Sequence, residues 1–336
     1  MPMSHRLEHI DALRGLAILL VVFMHVPLYG FAHPVGGWYM TLAKMLAVPL
    51  FFFISGLFAS SDILPPPLHL GRKQLKRART LLLPTLVAGG AYAWVYDIPV
   101  AEILGDQYKA GYWFAITLFE YYVMTDLVKL ISFRKQKVFD LLIVCACMLC
   151  YVAAMPSAQR LYNDIQVAHV LGVAQWKYFL FFVMGMMVRR FPTFVQSDKG
   201  GATIVAAFLA VYGLNATGDI QWGGVLFNLN LLLQETTIVL LAYYIFHKHQ
   251  NFFSSRTRTG KWLTLIGTST LEIYLLHYFL LPRHLDLLFD YDTLVANPLV
   301  ALFAMTAVVV GVVALALAVK AVLQCNGLVS KLLWNK

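Results

Sequence analysis

Long, almost uninterrupted apolar runs are the feature that most restricts what this sequence can fold into. Residues 308–319, VVVGVVALALAV, contain no charged or hydrogen-bonding side chain, so a helix or strand there has no face suited to water. Runs of about 20 apolar residues are long enough for a helix to cross a bilayer. Hydrophobic residues make up 60% of the 336 and charged residues 13%, which is typical of a polytopic membrane protein.

The runs indicate helices rather than the strands of a membrane barrel, because barrel strands alternate apolar and polar residues. The connecting segments are short, and we find no internal repeat. The first run is expected to be a retained helix, since no convincing signal-peptide cleavage site follows it. The sequence therefore predicts an all-α polytopic bundle in which residues 1–336 form a single transmembrane domain. About ten spans are predicted, at residues 10–31, 39–60, 80–97, 111–132, 138–155, 173–190, 201–215, 221–246, 262–282 and 298–319.

Lysine and arginine are distributed unevenly over the predicted loops. Of the 26, 20 fall on the side of the N-terminus, 5 fall on the opposite side and Arg14 lies within a span. The positive-inside rule then predicts that both termini are cytoplasmic. The net charge of +9 follows from this topology and from attraction to anionic lipids, so no nucleic-acid partner is expected.

The four cysteines do not predict a metal site. Cys145, Cys147 and Cys150 lie in the fifth predicted span and Cys325 near the end of the last. Their spacing is not a zinc pattern, and thiols at lipid depth commonly act as small packing residues. We expect neither a disulfide nor a bound metal.

The first span, RGLAILLVVFMH (14–25), has an arginine at one end and a histidine at the other. Residues eleven apart on a helix turn through about 1100° and rise about 16.5 Å, so Arg14 and His25 share one face. Taken singly, Arg14 could reach lipid headgroups with help from Asp11, and His25 could be a core histidine with a local hydrogen-bond partner. Taken together, they favour a polar track through the bundle, because ionisable groups in a span are costly.

Other polar groups also lie within predicted spans. Carboxylates and histidines at such depth normally face a wet cavity or pair with a base. Ser55-Gly56 interrupts an aromatic run, for which the alternative is close helix packing. Before the third span, GRKQLKRARTLLLP (71–84) reads as a cytoplasmic anchor, but Arg77 and Arg79 run into the helix, where guanidinium groups suit phosphate oxygens. The other polar or aromatic residues that we note within predicted spans are Trp113, Glu120, Tyr121, Tyr122, Asn228, Asn230, Gln234, Glu235, Glu272, Tyr274 and His277.

Several segments together resemble the integral-membrane acyltransferase-3 family. The first-helix pattern Arg-x10-His and the ninth-span segment IGTSTLEIYLLH are the most specific of them. Residues 191–260 carry little of the resemblance, and no counterpart of the extracytoplasmic esterase-like domain of some members is expected. The segments are IDALRGLAILLVVFMHV (10–26), FFFISGLF (51–58), Arg-x-Arg at 77 and 79 followed by Pro84, GYWFAITLF (111–119), FFVMGMMVRR (181–190) and IGTSTLEIYLLH (266–277).

The resemblance implies transfer of an acyl group, usually acetyl from cytosolic acetyl-CoA, to a hydroxyl of a cell-surface glycan or a lipid-linked sugar. Such an enzyme is a multi-pass protein of the cell membrane (inner or plasma membrane). His25 is then expected to act as a general base or as a transient acyl carrier, and Glu120 is a candidate to orient it. Arg14, Arg77 and Arg79 would bind the CoA phosphates. Candidates to line the donor tunnel or stabilise the oxyanion are Ser55, Trp113, Tyr274 and His277.

Two other classes of function are compatible with the same residues. Buried polar sites near the bilayer midplane are also where transporters bind glycans, lipids or acylated metabolites, although no inverted repeat is evident. A non-catalytic membrane scaffold would leave the alignment of Arg14 and His25 unexplained.

Overall fold

The computed structural model describes residues 7–31, 37–59, 67–132, 135–216 and 223–327. Every regular element within these ranges is helical, and they contain no β-strand, so the predicted all-α class is confirmed. Three short 3₁₀ helices lie at Lys109–Gly111, Val173–Tyr178 and Leu285–Leu287. The α-helices are α1 (Glu8–Gly30), α2 (Trp38–Leu57), α3 (Pro67–Val95), α4 (Val100–Gly105), α5 (Trp113–Ile131), α6 (Gln136–Ala153), α7 (Pro156–Tyr162), α8 (Gln166–Val170), α9 (Phe179–Arg190), α10 (Pro192–Gln196), α11 (Asp198–Ala216), α12 (Gly224–Lys248), α13 (Arg258–Thr268), α14 (Thr270–Leu280), α15 (Tyr291–Ala296) and α16 (Pro298–Gln324).

Among the described residues, six helices are long and apolar enough to cross a membrane: α1, α2, α6, α11, α12 and α16. The pair α13 and α14, bent by 78° where they meet, makes a seventh if it is counted as one broken span. The protein is therefore a multi-pass membrane protein. The number of ten spans and the cytoplasmic position of both termini stay predictions. Four basic residues of the charge count, Arg6, Arg134, Lys331 and Lys336, lie outside the described residues.

The described helices pack as two compact units. The first unit lies within Met1–Ile54 and Val188–Leu317, and the second within Ser55–Met187 and Ala318–Lys336. The division runs through α2, α9 and α16. The prediction of a single domain is not tested by this division.

In the first unit, α1 is accompanied over most of its length by the segment from Ser255 to Leu285. Glu8 accepts hydrogen bonds from the backbone and hydroxyl groups of Ser255 at 2.8 Å. At the other end of α1, a Cβ placed on Gly30 would lie 2.5 Å from the side chain of Leu285. Between these ends α1 packs against α13 and then α14.

Two glycines allow α1 and α13 to approach each other closely. A Cβ on Gly15 would lie 2.2 Å from the carbonyl oxygen of Leu263, and a Cβ on Gly267 would lie 1.8 Å from that of Asp11. No real Cβ fits at such distances, so α1 and α13 touch through their backbones. Small residues permit this approach in membrane helices, where association depends on close packing.

The paired helices α11 and α12 of the first unit are joined by an amide pair. Asn230 donates to Asn215 at 2.7 Å, and Asn215 donates back at 3.0 Å. Each amide thereby satisfies the other, which explains one polar group of the eighth predicted span as an interhelical contact.

In the second unit, α3 packs against α5, and α5 packs against α6. A Cβ on Gly56 would lie 1.9 Å from the carbonyl oxygen of Phe182. The close packing considered for Ser55-Gly56 is therefore present at Gly56.

We expect Gly267→Ala to lower the thermal stability of the protein in detergent. The added methyl group must displace the α1 backbone, and overpacking of this kind costs about 1–3 kcal/mol. The measurement is the midpoint of thermal unfolding of the purified variant. Gly213→Ala in α11 is the matched control, since its Cβ meets nothing within 4 Å. Equal midpoints for the two variants would contradict the close α1–α13 contact.

Candidate active site

His25 lies near the end of α1 between two residues of α14. Its Nδ1 atom is 3.2 Å from Nε2 of His277, and its Nε2 atom is 3.3 Å from the hydroxyl of Tyr278. The ring of Tyr29, one turn further along α1, packs edge-on against His25 with centroids 5.8 Å apart. Both nitrogens of the imidazole therefore have a side-chain neighbour, in a setting of aromatic rings.

The bend between α13 and α14 allows α14 to present its residues to His25. Ser269 separates the two helices, and the Thr270 hydroxyl donates to the carbonyl oxygen of Gly267 at 2.6 Å. Hydroxyl groups that bond to nearby carbonyls compete with the helical pattern and favour such bends. His277 is fully buried, at 0% exposure, whereas His25 is only partly buried.

His277 is held by the backbone of its own helix. Its Nδ1 atom is 2.8 Å from the carbonyl oxygen of Tyr274 and 3.1 Å from that of Ile273. The backbone of Tyr274 thus fixes the orientation of the His277 ring, and the Tyr274 side chain itself is buried.

Arg14 lies three turns before His25 on the continuous helix α1. Its Nη1 atom donates to Oδ1 of Asp11 at 3.2 Å, and the arginine side chain is 29% exposed. The contact with Asp11 that the spacing suggested is therefore present. The Arg14 side chain thus keeps partial exposure beside its ion pair with Asp11.

Among the predicted site residues, the first unit contains Arg14, His25, Tyr274 and His277. The second contains Ser55, Arg77, Arg79, Trp113 and Glu120. The structure brings His25 and His277 into direct contact.

In the second unit, Arg77 is held against α5. Its Nη1 atom lies 2.9 Å from Oδ2 of Asp126, and its guanidinium lies over the ring of Tyr122 at 3.9 Å from the centroid. Gln74 also donates to Oδ2 of Asp126, at 2.7 Å. These contacts fix the guanidinium in one orientation, as recognition of a phosphate would require.

Three basic side chains surround the buried carboxylate of Asp126. Lys129 Nζ lies 3.8 Å and Lys73 Nζ 4.0 Å from its Oδ1 atom, in addition to the contact with Arg77. Arg79, two residues from Arg77, is exposed.

Glu120 accepts a hydrogen bond from the indole Nε1 of Trp176 at 3.0 Å. Nearby, Lys109 is buried and donates to the carbonyl oxygen of His169 at 2.8 Å. Burial lowers the pKa of the Lys109 ammonium, while the negative charges of Glu120 and Asp106 act in the opposite direction. The carboxylate of Glu120 therefore lies in a partly buried, polar surrounding of its own unit.

The other two predicted residues of the second unit are partly buried. The ring of Trp113 stacks on that of Tyr178, with centroids 6.1 Å apart and planes at 23°. The carbonyl oxygen of Ser55 lies 3.5 Å from the hydroxyl of Tyr122.

The structure shows three contacts that sequence reasoning did not predict. Tyr278 was not singled out although it follows His277 directly, because adjacent helical residues normally point in different directions. Asp126 is four residues after Tyr122, and this spacing could have indicated a shared face opposite Arg77. Trp176 lies in a 3₁₀ helix that precedes α9, whereas the sequence predicts one span over 173–190.

Within the described ranges, no group of three or more His, Cys, Asp and Glu side chains could hold a metal ion. The expectation that the protein binds no metal stays a prediction.

The fold and this geometry define a helical membrane protein with a paired histidine at the contact of α1 and α14. A family model described as an acyltransferase domain, Acyl_transf_3, matches residues 7–317, nearly the whole chain. No curated protein and no solved structure matches the chain. The chain belongs to the acyltransferase-3 family, as the motifs suggested, and the protein is a membrane acyltransferase.

We expect Asp126→Asn to destabilise the protein by about 3 kcal/mol. Breaking a buried ion pair leaves uncompensated charge and costs about 3–5 kcal/mol, and the 17% exposure of Arg77 favours the lower end. The measurement is the free energy of unfolding in a detergent and denaturant series.

Asp198→Asn is the matched control for this variant. Asp198 also contacts a cation, Lys248 at 2.6 Å, but its side chain is 89% exposed. Exposed pairs contribute little, so the control should resemble the wild type. Equal losses in the two variants would show that the Asp126 cluster is not a buried determinant of stability.

Proposed function

We propose that this acyltransferase moves an acetyl group from acetyl-CoA to a hydroxyl of a cell-surface glycan or of a lipid-linked sugar. The observation that carries the proposal is the setting of His25. Its imidazole lies inside an apolar helix pair, with hydrogen-bonding neighbours on both nitrogens and partial exposure. A histidine held in this way can exchange a proton with a reacting group, which is the usual role of histidine in acyl transfer.

In direct transfer, one nitrogen of His25 accepts the proton of the acceptor hydroxyl. The hydroxyl oxygen then forms a bond to the thioester carbonyl carbon, and the carbonyl π-electrons move to its oxygen. When the tetrahedral intermediate collapses, the carbon–sulfur bond breaks and CoA leaves as a thiolate. The imidazolium of His25 returns the proton to that sulfur, so the products are the acetyl ester and CoA thiol.

The second route passes through an acyl-histidine. A nitrogen lone pair of His25 attacks the thioester carbon and the carbon–sulfur bond breaks, which leaves an acyl-imidazolium and a thiolate that takes up a proton from water. The acceptor hydroxyl then attacks the same carbonyl, the carbon–nitrogen bond breaks and the hydroxyl proton is released. In this route the acetyl group would stay bound to His25 until the acceptor binds.

Arginines are the proposed partners of the CoA phosphates. Arg14 lies on the same helix as His25 and is partly exposed. Arg77 is held in one orientation by Asp126 and Tyr122, and Arg79, two residues away, is exposed. Guanidinium groups bind phosphate oxygens through paired hydrogen bonds, which supports these assignments.

The remaining predicted residues keep narrower proposed roles. Glu120, with its indole partner, is proposed as a catalytic carboxylate. Trp113 and Ser55 are proposed to line the path of the donor, and Tyr274 and His277 to line it beside His25.

We propose the cell membrane, that is the inner or plasma membrane, as the site of this reaction. The donor would come from the cytosol, and the acceptor would be extracytoplasmic. Membrane lipids are the proposed surroundings of the apolar helices, six of which among the described residues are long enough to cross a bilayer. Membership of an acyltransferase family favours this enzyme over the transporter and the scaffold considered from the sequence.

We expect His25→Ala to abolish acetyl transfer while acetyl-CoA still binds. Loss of a general base lowers the rate by about 10²–10⁴-fold, and loss of a nucleophile removes the covalent route. The measurement is release of labelled acetate, or labelling of the protein, when purified protein is given radiolabelled acetyl-CoA.

His249→Ala is the control, because His249 is an exposed histidine at the end of α12. It should transfer acetyl at the wild-type rate. The assignment fails if His25→Ala retains that rate, and the proposed donor is wrong if the wild type does not bind acetyl-CoA.

We expect Arg14→Ala to weaken acetyl-CoA binding with little change in the rate at saturation. A hydrogen bond to a charged group contributes about 1.5–3 kcal/mol, which corresponds to an increase in Kd of about 10- to 100-fold. Titration calorimetry of the purified variant measures this change. Arg160→Ala removes an exposed arginine and should leave Kd unchanged. An unaltered Kd for Arg14→Ala would exclude Arg14 from phosphate binding.

A further inference from the structure

The hydrogen bonds of His277 determine where its proton lies. Nδ1 faces two backbone carbonyl oxygens, of Tyr274 at 2.8 Å and Ile273 at 3.1 Å. Carbonyl oxygens only accept hydrogen bonds, so Nδ1 of His277 must carry a hydrogen. In a neutral imidazole, the other nitrogen, Nε2, is then an acceptor.

The same reasoning about donors and acceptors applies to His25. Its Nδ1 atom lies 3.2 Å from Nε2 of His277. If both rings are neutral, Nε2 of His277 can only accept, so Nδ1 of His25 must donate. His25 is then the Nδ1–H tautomer, and its lone pair is at Nε2.

Tyr278 completes the chain on the other side of His25. Its hydroxyl is 3.3 Å from Nε2 of His25 and can donate to the lone pair there. The direction of every donor is therefore consistent: Tyr278 donates to His25, His25 donates to His277, and His277 donates to the α14 backbone.

We infer that His277 is a positioning residue that holds His25 as the Nδ1–H tautomer, so that Nε2 of His25 is the nitrogen that reacts. The inference rests on the proposed catalytic role of His25. It applies to both routes, because the proton of the acceptor hydroxyl or the thioester carbon would meet the same lone pair. The reacting group would approach Nε2 of His25 from the side on which the Tyr278 hydroxyl lies, so this hydroxyl must move away before the reaction.

In the direct route, the imidazolium formed at His25 keeps its Nδ1–H bond to His277. A neutral acceptor of this kind orients the ring and stabilises the charge that develops on it. The aspartate of hydrolase triads has a comparable role, and changes that give the histidine the wrong tautomer lower kcat by about 10⁴-fold there. The buried position of His277 in α14 keeps water from taking its place.

The direct test is the tautomer of His25, measured by nitrogen NMR on protein carrying ¹⁵N-labelled histidine in nanodiscs. The His25 signals are identified as those lost in His25→Ala. We expect a protonated Nδ1 and an unprotonated Nε2 in the wild type, which is the less common form of free histidine. A protonated Nε2 would overturn the inference.

Two variants of His277 separate positioning from packing. In His277→Gln, the amide oxygen can still accept from Nδ1 of His25, so the Nδ1–H tautomer should persist. His277→Leu removes the acceptor, so the tautomer should shift toward Nε2–H. Tyr278→Phe is the matched control on the other nitrogen and should leave the Nδ1–H tautomer in place. An unchanged tautomer in His277→Leu would overturn the inference, and if that variant does not fold, the wild type and His277→Gln decide.

The kinetic arm uses the same variants with radiolabelled acetyl-CoA. We expect kcat to fall by about 10²-fold or more in His277→Leu and to be substantially restored in His277→Gln, with KM for acetyl-CoA changed by less than about threefold. A fall of equal size in both variants would contradict positioning by an acceptor. The NMR measurement needs no substrate, so the two proposals can fail separately. An Nδ1–H tautomer in a protein that binds no acetyl-CoA would reject only the proposed function. An Nε2–H tautomer in an active protein would reject only this inference.

Discussion

The backbone contact between α1 and α13 is the constraint on which the first unit depends. Gly15 and Gly267 leave no room for a side chain between the two helices. Lipid tails give apolar helices little reason to associate, so membrane helices rely on close packing of this kind. Because α14 follows α13 after a fixed bend, the position of α13 on α1 also sets where α14 meets α1.

His25 and His277 come together as a consequence of that arrangement. They are 252 residues apart in the chain, yet their nitrogens are 3.2 Å apart. Neither helix could hold the pair alone, since α1 supplies one ring and α14 supplies the other. The chemistry proposed for His25 therefore rests on a packing contact that involves no catalytic side chain.

Much of the architecture could be predicted, because a long apolar run in lipid can satisfy its backbone hydrogen bonds by forming a helix. Arg14 and His25 lie on one continuous helix, and Arg14 contacts Asp11 as its spacing suggested. Within the predicted span 262–282 the structure has two helices, α13 and α14, bent by 78° where they meet. Hydrophobicity predicts which residues are buried but does not predict a bend. Here the Thr270 hydroxyl donates to the carbonyl oxygen of Gly267, and local hydrogen bonds of this kind favour bending of a helix.

The site was less accessible to prediction, because its contacts join distant residues. Arg77 and Arg79 lie inside α3, as expected, but α3 begins at Pro67, well before the predicted start of the third span at residue 80. Lysine, arginine, glutamine and leucine are good helix formers, so the helix extends past the apolar run. His277 was identified as a site residue from the family motif, but its bond to His25 depends on the bend that the sequence pattern does not reveal.

The most direct measurement of this account is a structure of the protein with a non-reactive acetyl-CoA analogue bound in a lipid nanodisc. If Nε2 of His25 is the reacting nitrogen, the carbonyl carbon of the analogue should lie about 3–3.5 Å from it, the separation of a near-attack geometry. Nδ1 of His25 should still be hydrogen-bonded to His277. An analogue bound with its carbonyl carbon far from His25, or beside Nδ1 with the His277 bond broken, would contradict this account.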